Sequence, residues 1–173
     1  MIGLLRFIGI FNAAVWLGAA IFFTFGAGPA FFSDEMKRMI PPPYNGVAAQ
    51  LVIERYFILQ YICGAIALLH LFAAKSYLGR KIDRGLFGIL FALFSLGLLG
   101  GFWLQPKLKN LHALKYFGRS MEQQASAAQS FGMWHGISQL ANLFMLVALL
   151  YYFWRLIFTE NESRTTGWGK VRG

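Results

Sequence analysis

A chain of 173 residues that is 57% hydrophobic and 13% charged carries roughly half the charge of a soluble domain, where about 25% is usual. Its net charge of +9 sits in short segments beside apolar runs, as in loops that meet anionic headgroups, so the lipid bilayer is the expected partner and nucleic acid is excluded. A single cysteine, Cys63, lies inside an apolar run and excludes an internal disulfide.

A bilayer-crossing helix needs about 20 largely apolar residues. The first such run, Phe7 to Phe32, holds only Asn12 and Thr24 as clearly polar side chains. It is too long for a cleaved signal h-region of about 7–15 residues, so it reads as a retained helix. Ser33 to Gly46 is a linker with charges at Asp34, Glu35, Lys37 and Arg38 and a Pro41-Pro42-Pro43 run that no helix interior tolerates. Asn45 is then the expected N-cap of the next helix. The second span is Tyr56 to Ala74, broken only by Gln60 and His70, and its helix begins near Val47 with Glu54 and Arg55 at the bilayer edge.

Lys75 to Arg84 is a basic loop. The third span, Gly85 to Leu104, ends at Gln105-Pro106. Leucines 108, 111 and 114 among lysines predict a separate short helix, Lys107 to Phe117, lying in the interface. Ser120 and Gln123 form a capping-box pattern that opens a long last helix. Its membrane part runs from Met133 to Trp154, and residues 159–173 read as a polar tail. The expected architecture is an all-α integral membrane protein, a four-transmembrane-helix bundle with spans at 7–32, 56–74, 85–104 and 133–154.

An even number of spans puts both termini on one side. With both in the cytoplasm, the inner side holds Arg6, Lys75, Arg80, Lys81, Arg84, Arg155, Arg164, Lys170 and Arg172; the outer side holds Lys37, Arg38, Arg55, Lys107, Lys109, Lys115 and Arg119. The excess favours this orientation. Gly97 and Gly101 form a GxxxG, a notch at which helices approach closely; it is a candidate contact for a homo- or hetero-oligomer.

Polar side chains within hydrocarbon are costly, which makes each a candidate site. On the fourth helix His135, Ser138, Gln139 and Asn142 share one wedge at about 100° per residue. Arg55, Gln60, Gln105 and Thr24 reach similar depth from the other helices. Two readings stand open: these groups bond one another and lock the bundle, or they line a pocket for a small ligand, lipid headgroup or metal, with Arg55 and Lys107 at its mouth.

His70 lies near the other end of its helix, roughly 20 Å from His135 along the membrane normal, so the two cannot share one haem or one zinc ion. No cofactor is predicted, although a haem held by a single histidine, His70 or His135, stays open and would make the chain an oxidoreductase. His70 is expected to bond a polar neighbour such as Asn12. Met36, Met39, Met121 and Met133 with His135 offer a soft donor set for copper-like metals. The chain lacks CxxC, HExxH, P-loop and GxSxG patterns and has no acidic residue within a span. The balance is against an enzyme.

The segment Trp134-His135-Gly136-Ile137-Ser138 with Asn142-Leu143, the stretch Phe102-Trp103-Leu104-Gln105-Pro106-Lys107, and Phe23-Thr24-Phe25 through Pro29-Ala30-Phe31-Phe32 resemble, in order, motifs of the transmembrane protein 205-like family. The resemblance implies a four-helix membrane domain of undefined activity. It also implies that His135, Gly136, Ser138, Asn142, Gln105 and Pro106 are the marked positions. The Pro41–Pro43 linker and the Glu54-Arg55 pair depart from the animal form of that family.

Overall fold

The computed structural model describes residues 2–78 and 83–168. Four long helices dominate it, Gly3–Phe31, Tyr44–Tyr77, Arg84–Phe117 and Met121–Phe158, each apolar and long enough to cross a membrane; no strand occurs among the described residues. They are called here the first to fourth helix. The chain is a multi-pass membrane protein and an all-α bundle. The end bearing both termini is the terminal end, and the opposite one is the distal end.

The core is built from small and large side chains in alternation, as close approach in lipid requires. Ala13, Trp16, Leu17 and Ala20 of the first helix meet Cys63 and Ala67 of the second, Leu90 and Leu93 of the third, and Met145, Leu149 and Tyr152 of the fourth. Phe22, Leu69, Phe102, Phe144 and Val147 are exposed, as expected of groups that face acyl chains.

Two helices change register just before a proline. In the first helix, Phe22–Ala27 forms a π turn, the Gly28 N–H donates to the Phe23 carbonyl, and Pro29 follows. In the third, Gly100–Leu104 does the same, the Gln105 N–H donates to the Gly100 carbonyl, and Pro106 follows. A proline inside an α-helix lacks a donor and drives its ring into the carbonyl four residues back. The wider turn, with bonds five residues back, moves that carbonyl aside.

This is why the third helix continues through Gln105-Pro106 rather than ending there. The predicted separate interfacial helix at Lys107–Phe117 is instead the last part of the same continuous helix. The second and third helices, 34 residues each, are therefore about 50 Å long at 1.5 Å per residue, well beyond the roughly 30 Å hydrocarbon core. The excess projects at the distal end.

There the segment after Pro106 packs on the start of the fourth helix through His112, which is 8% exposed, and Phe131. Gly46 lets the second helix join them, since a Cβ at that position would overlap the His112 ring.

Caps close the helices. Ser120 accepts from the Gln123 N–H at 3.2 Å, as expected of the capping-box cap, while Gln123 Oε1 accepts from the Arg119 N–H at 2.7 Å, one residue before the cap. Ser33 caps a short helix, Asp34–Met39, inside the first linker. Asn45 is not the N-cap predicted for it. It lies within the second helix, which starts at Tyr44, and its amide donates to the Phe31 carbonyl at 3.2 Å, satisfying the end of the first helix instead.

At the terminal end, Asp83 accepts from the Gly85 and Leu86 N–H groups and pairs with Arg155 of the fourth helix. Arg80 and Lys81 of the predicted basic loop lie outside the described residues. The last helix runs on to Trp168, into the segment read from sequence as a polar tail.

Candidate functional site

The polar groups of the distal half divide into three sets instead of one wedge. The first is internal. Thr24, on the π turn of the first helix, donates to the Ala20 carbonyl at 2.7 Å and accepts from the Asn142 amide of the fourth helix at 2.7 Å. This pair ties two helices together within the bundle.

The second set lies along the fourth helix, with His135 half-buried and Gln139 exposed. His135 Nε2 and Gln139 Nε2 lie 3.2 Å apart, and Gln139 is exposed. Ser138 turns away from them and donates to the His135 carbonyl at 2.7 Å, the back-bonding that a hydroxyl in lipid commonly makes. The His135 ring stacks on Phe131 with centroids 5.5 Å apart and planes at 9°. Phe131 in turn meets His112 at 5.8 Å and the Lys115 ammonium at 5.7 Å.

Beside this shelf, Trp103 and Trp134 meet edge to face at 5.3 Å, with the Lys107 ammonium 3.6 Å from the Trp134 ring centroid. Paired indoles with a lysine over them mark a membrane–water boundary. His135, next to Trp134 in the chain, therefore stands near headgroup depth.

The third set joins the second and third helices. Glu54 accepts from Lys109 at 2.9 Å and from Gln105 at 3.3 Å. Gln105 thus turns toward the second helix, and Arg55 is exposed beside Glu54.

Gly97 and Gly101 pack on the second helix of the same chain. A Cβ on Gly97 would lie 3.5 Å from Gln60 Oε1, and one on Gly101 would overlap the Tyr61 hydroxyl. The Asn12 amide donates to the Cys63 carbonyl at 2.9 Å and not to His70. The His70 ring instead fills the space over Gly9, where a Cβ would come within 2.5 Å of it.

Three groups escaped sequence reasoning. His112, hidden among lysines, is buried and joins the aromatic string that ends at His135. Glu54 and Lys109 pair across two helices. Gln60, 3% exposed, was placed by depth alone, and its core-facing position was not anticipated. The signal for His112 was its spacing of four from Leu108 and from Tyr116, which makes one face.

Among the described residues no group of three or more His, Cys, Asp or Glu stands together as a metal site. A cleft of 220 Å³ opens between the first and second helices, lined by apolar side chains such as Phe7, Phe11 and Ile62 with Asn12 at its edge. It does not touch the three polar sets.

A family model described as a domain of unknown function, DUF4149, matches residues 11–116, more than half of the chain. No curated protein and no solved structure matches. The match covers the first helix from Phe11, the second helix, and the third as far as Tyr116. It includes Glu54, Arg55, Gln105 and His112 and stops short of the fourth helix with His135, Gln139 and Asn142. On that match the chain belongs to the DUF4149 family, as a multi-pass, all-α membrane protein whose activity is undefined.

Proposed function

We propose that this protein is a non-enzymatic membrane protein that holds an anionic lipid headgroup on its distal polar shelf. The observation that carries the reading is the half-buried His135 and the exposed Gln139, 3.2 Å apart, beside the Trp103–Trp134 pair. Two polar side chains at a lipid-facing boundary offer hydrogen bonds to a headgroup, and the Lys107 and Lys115 ammonium groups nearby supply the positive charge that an anionic lipid prefers. Gln105 is engaged with the Glu54 carboxylate, and Arg55, exposed on the second helix, keeps its charge free for the same headgroup region. A headgroup suits this open shelf better than a small soluble ligand, which favours an enclosed site.

A structural reading holds for part of the stripe. Asn142 spends its amide on Thr24, so helix locking is the role we assign to that residue, and the ligand role is kept for His135 and Gln139. The likeness to the transmembrane protein 205-like family at Trp134–Ser138 and Phe102–Lys107 belongs to the same proposal, as does the placement of both termini in the cytoplasm, which rests on the basic-residue excess alone.

Native mass spectrometry of the protein taken from nanodiscs of phosphatidylglycerol and phosphatidylcholine tests the reading. The wild type should retain phosphatidylglycerol preferentially. His135→Ala/Gln139→Ala should weaken that retention about tenfold, the equivalent of about 1.4 kcal/mol. Equal retention by both proteins would remove the shelf from the account.

A further inference from the structure

Polar atoms without a hydrogen-bond partner also lie inside the bundle, apart from the three polar sets. The Trp16 indole N–H and Gln60 Oε1 are buried and have no hydrogen-bond partner among the described residues, and the Tyr56 hydroxyl, close to the Gln60 side chain, makes no hydrogen bond of ordinary length and angle. Trp16 is 1% exposed and Gln60 3%. A fourth such atom, the Tyr152 hydroxyl, belongs to the same core cluster as Trp16.

Helical spacing brings the first three together. Tyr56, Gln60 and Gly64 follow one another at intervals of four on the second helix, and so form one stripe. Trp16 lies against that stripe, its Cη2 3.4 Å from where a Gly64 Cβ would stand. Phe23 stacks on Tyr56 at 4.4 Å, fixing the phenol against the first helix. The third helix closes the seam with Gly97, whose missing side chain leaves room beside Gln60 Oε1.

We infer that this seam between the first three helices holds structural water that bridges the Tyr56 hydroxyl, Gln60 Oε1 and the Trp16 indole N–H. The chemistry of the three groups matches water and little else. The indole can only donate, the amide oxygen can only accept, and the phenol does both. A water accepts from Trp16 while donating to Gln60, an exchange these two side chains do not make directly. Leaving several such groups dry inside hydrocarbon is among the costlier arrangements a membrane protein can adopt, and small polar sites with several partners are where buried water is found.

The ligand is neutral, because residues 7–33, 56–74 and 85–106 contain no Asp, Glu, Lys or Arg.

Two measurements on the full chain in one detergent decide the matter. The first is a water cross-peak at the Trp16 indole N–H in the wild type, with the signal identified by its loss in Trp16→Phe. The second is the thermal midpoint of Tyr56→Phe and of Gln60→Met, both close in shape to the native residues. A hydrated seam gives the cross-peak and lowers both midpoints by a few degrees, because each change strands the water and its remaining partners. A dry seam gives no cross-peak and raises the midpoints, because each change removes an unsatisfied polar atom. A missing cross-peak, or a raised midpoint in either variant, overturns the inference. If neither variant folds, the wild-type cross-peak decides alone.

Discussion

Asn142 and His135 lie two turns apart on one helix and were read from sequence as one polar face. Their surroundings separate them. Asn142 meets the Thr24 hydroxyl inside the bundle, while His135 is flanked by Phe131 and the exposed Gln139. The polarity of these residues, their depth and their shared end of the bundle could be read from residue type and count. Their partners could not, because a hydrogen bond depends on where the opposing helix places its own polar atom. Asn12 shows the same limit. It was expected to bond His70 and found a backbone carbonyl one helix away instead, since any buried carbonyl competes with a side chain for an amide.

Asp83 is the residue whose role can be tested most simply. Its carboxylate caps the third helix and pairs with Arg155. The Leu86 and Gly85 N–H groups, together with Arg155, hold its pKa below the usual carboxylate range. A group whose folded pKa is lowered contributes stability above its unfolded pKa of about 3.9 and loses it as pH falls through the lower folded value. Asp83→Ala should cost about 1 kcal/mol, the usual value of a cap. Asp83→Asn keeps the cap and should cost only about 0.2–1 kcal/mol, as for an exposed ion pair. Denaturation measured from neutral to acid pH should show the wild type losing its advantage over Asp83→Asn only below about pH 4. An advantage that stays constant down to about pH 2 would rule out the pairing.

At the scale of whole helices, apolar length gave the existence and order of the four spans, because hydropathy is additive along the chain. What it did not give was the π turns before Pro29 and Pro106. Pro106 read as a stop although the first span was carried through Pro29, and nothing in composition marks a helix that widens to let a proline through. Each π turn inserts a residue, so the helical face beyond it shifts by about 100°. A straight count therefore misassigns Gln105, which points to Glu54 on the second helix.

The glycines divide in a testable way. At Gly101 a side chain would meet Tyr61, while Gly132 and Gly136 face open space. Gly101→Ala should destabilise by about 1–3 kcal/mol, the usual cost of overpacking. Gly132→Ala and Gly136→Ala should be neutral or stabilise by up to about 1 kcal/mol through helix propensity. Thermal unfolding in detergent distinguishes the two classes, and equal behaviour at all three glycines would mean that the second and third helices do not approach as described.

At the scale of the molecule, the second, third and fourth helices, of 34, 34 and 38 residues, exceed the length that the hydrocarbon core needs, and the three polar sets lie in the distal half. On the proposal made above, the headgroup-binding shelf stands on one side of the bilayer. The DUF4149 match spans the first three helices, so the Glu54–Gln105 cluster and the π turns fall within the family region. The His135 shelf stands on a helix outside it. All of this depends on four crossings that leave the two linkers before the second and fourth helices together on one face. Labelling of single cysteines by a membrane-impermeant maleimide in sealed vesicles, in a Cys63→Ala background, tests that arrangement directly. Lys37→Cys and Arg119→Cys should react from one side and Ser76→Cys only from the other. Reaction of Ser76→Cys from the same side as Lys37→Cys would contradict the four-span bundle and everything built on it.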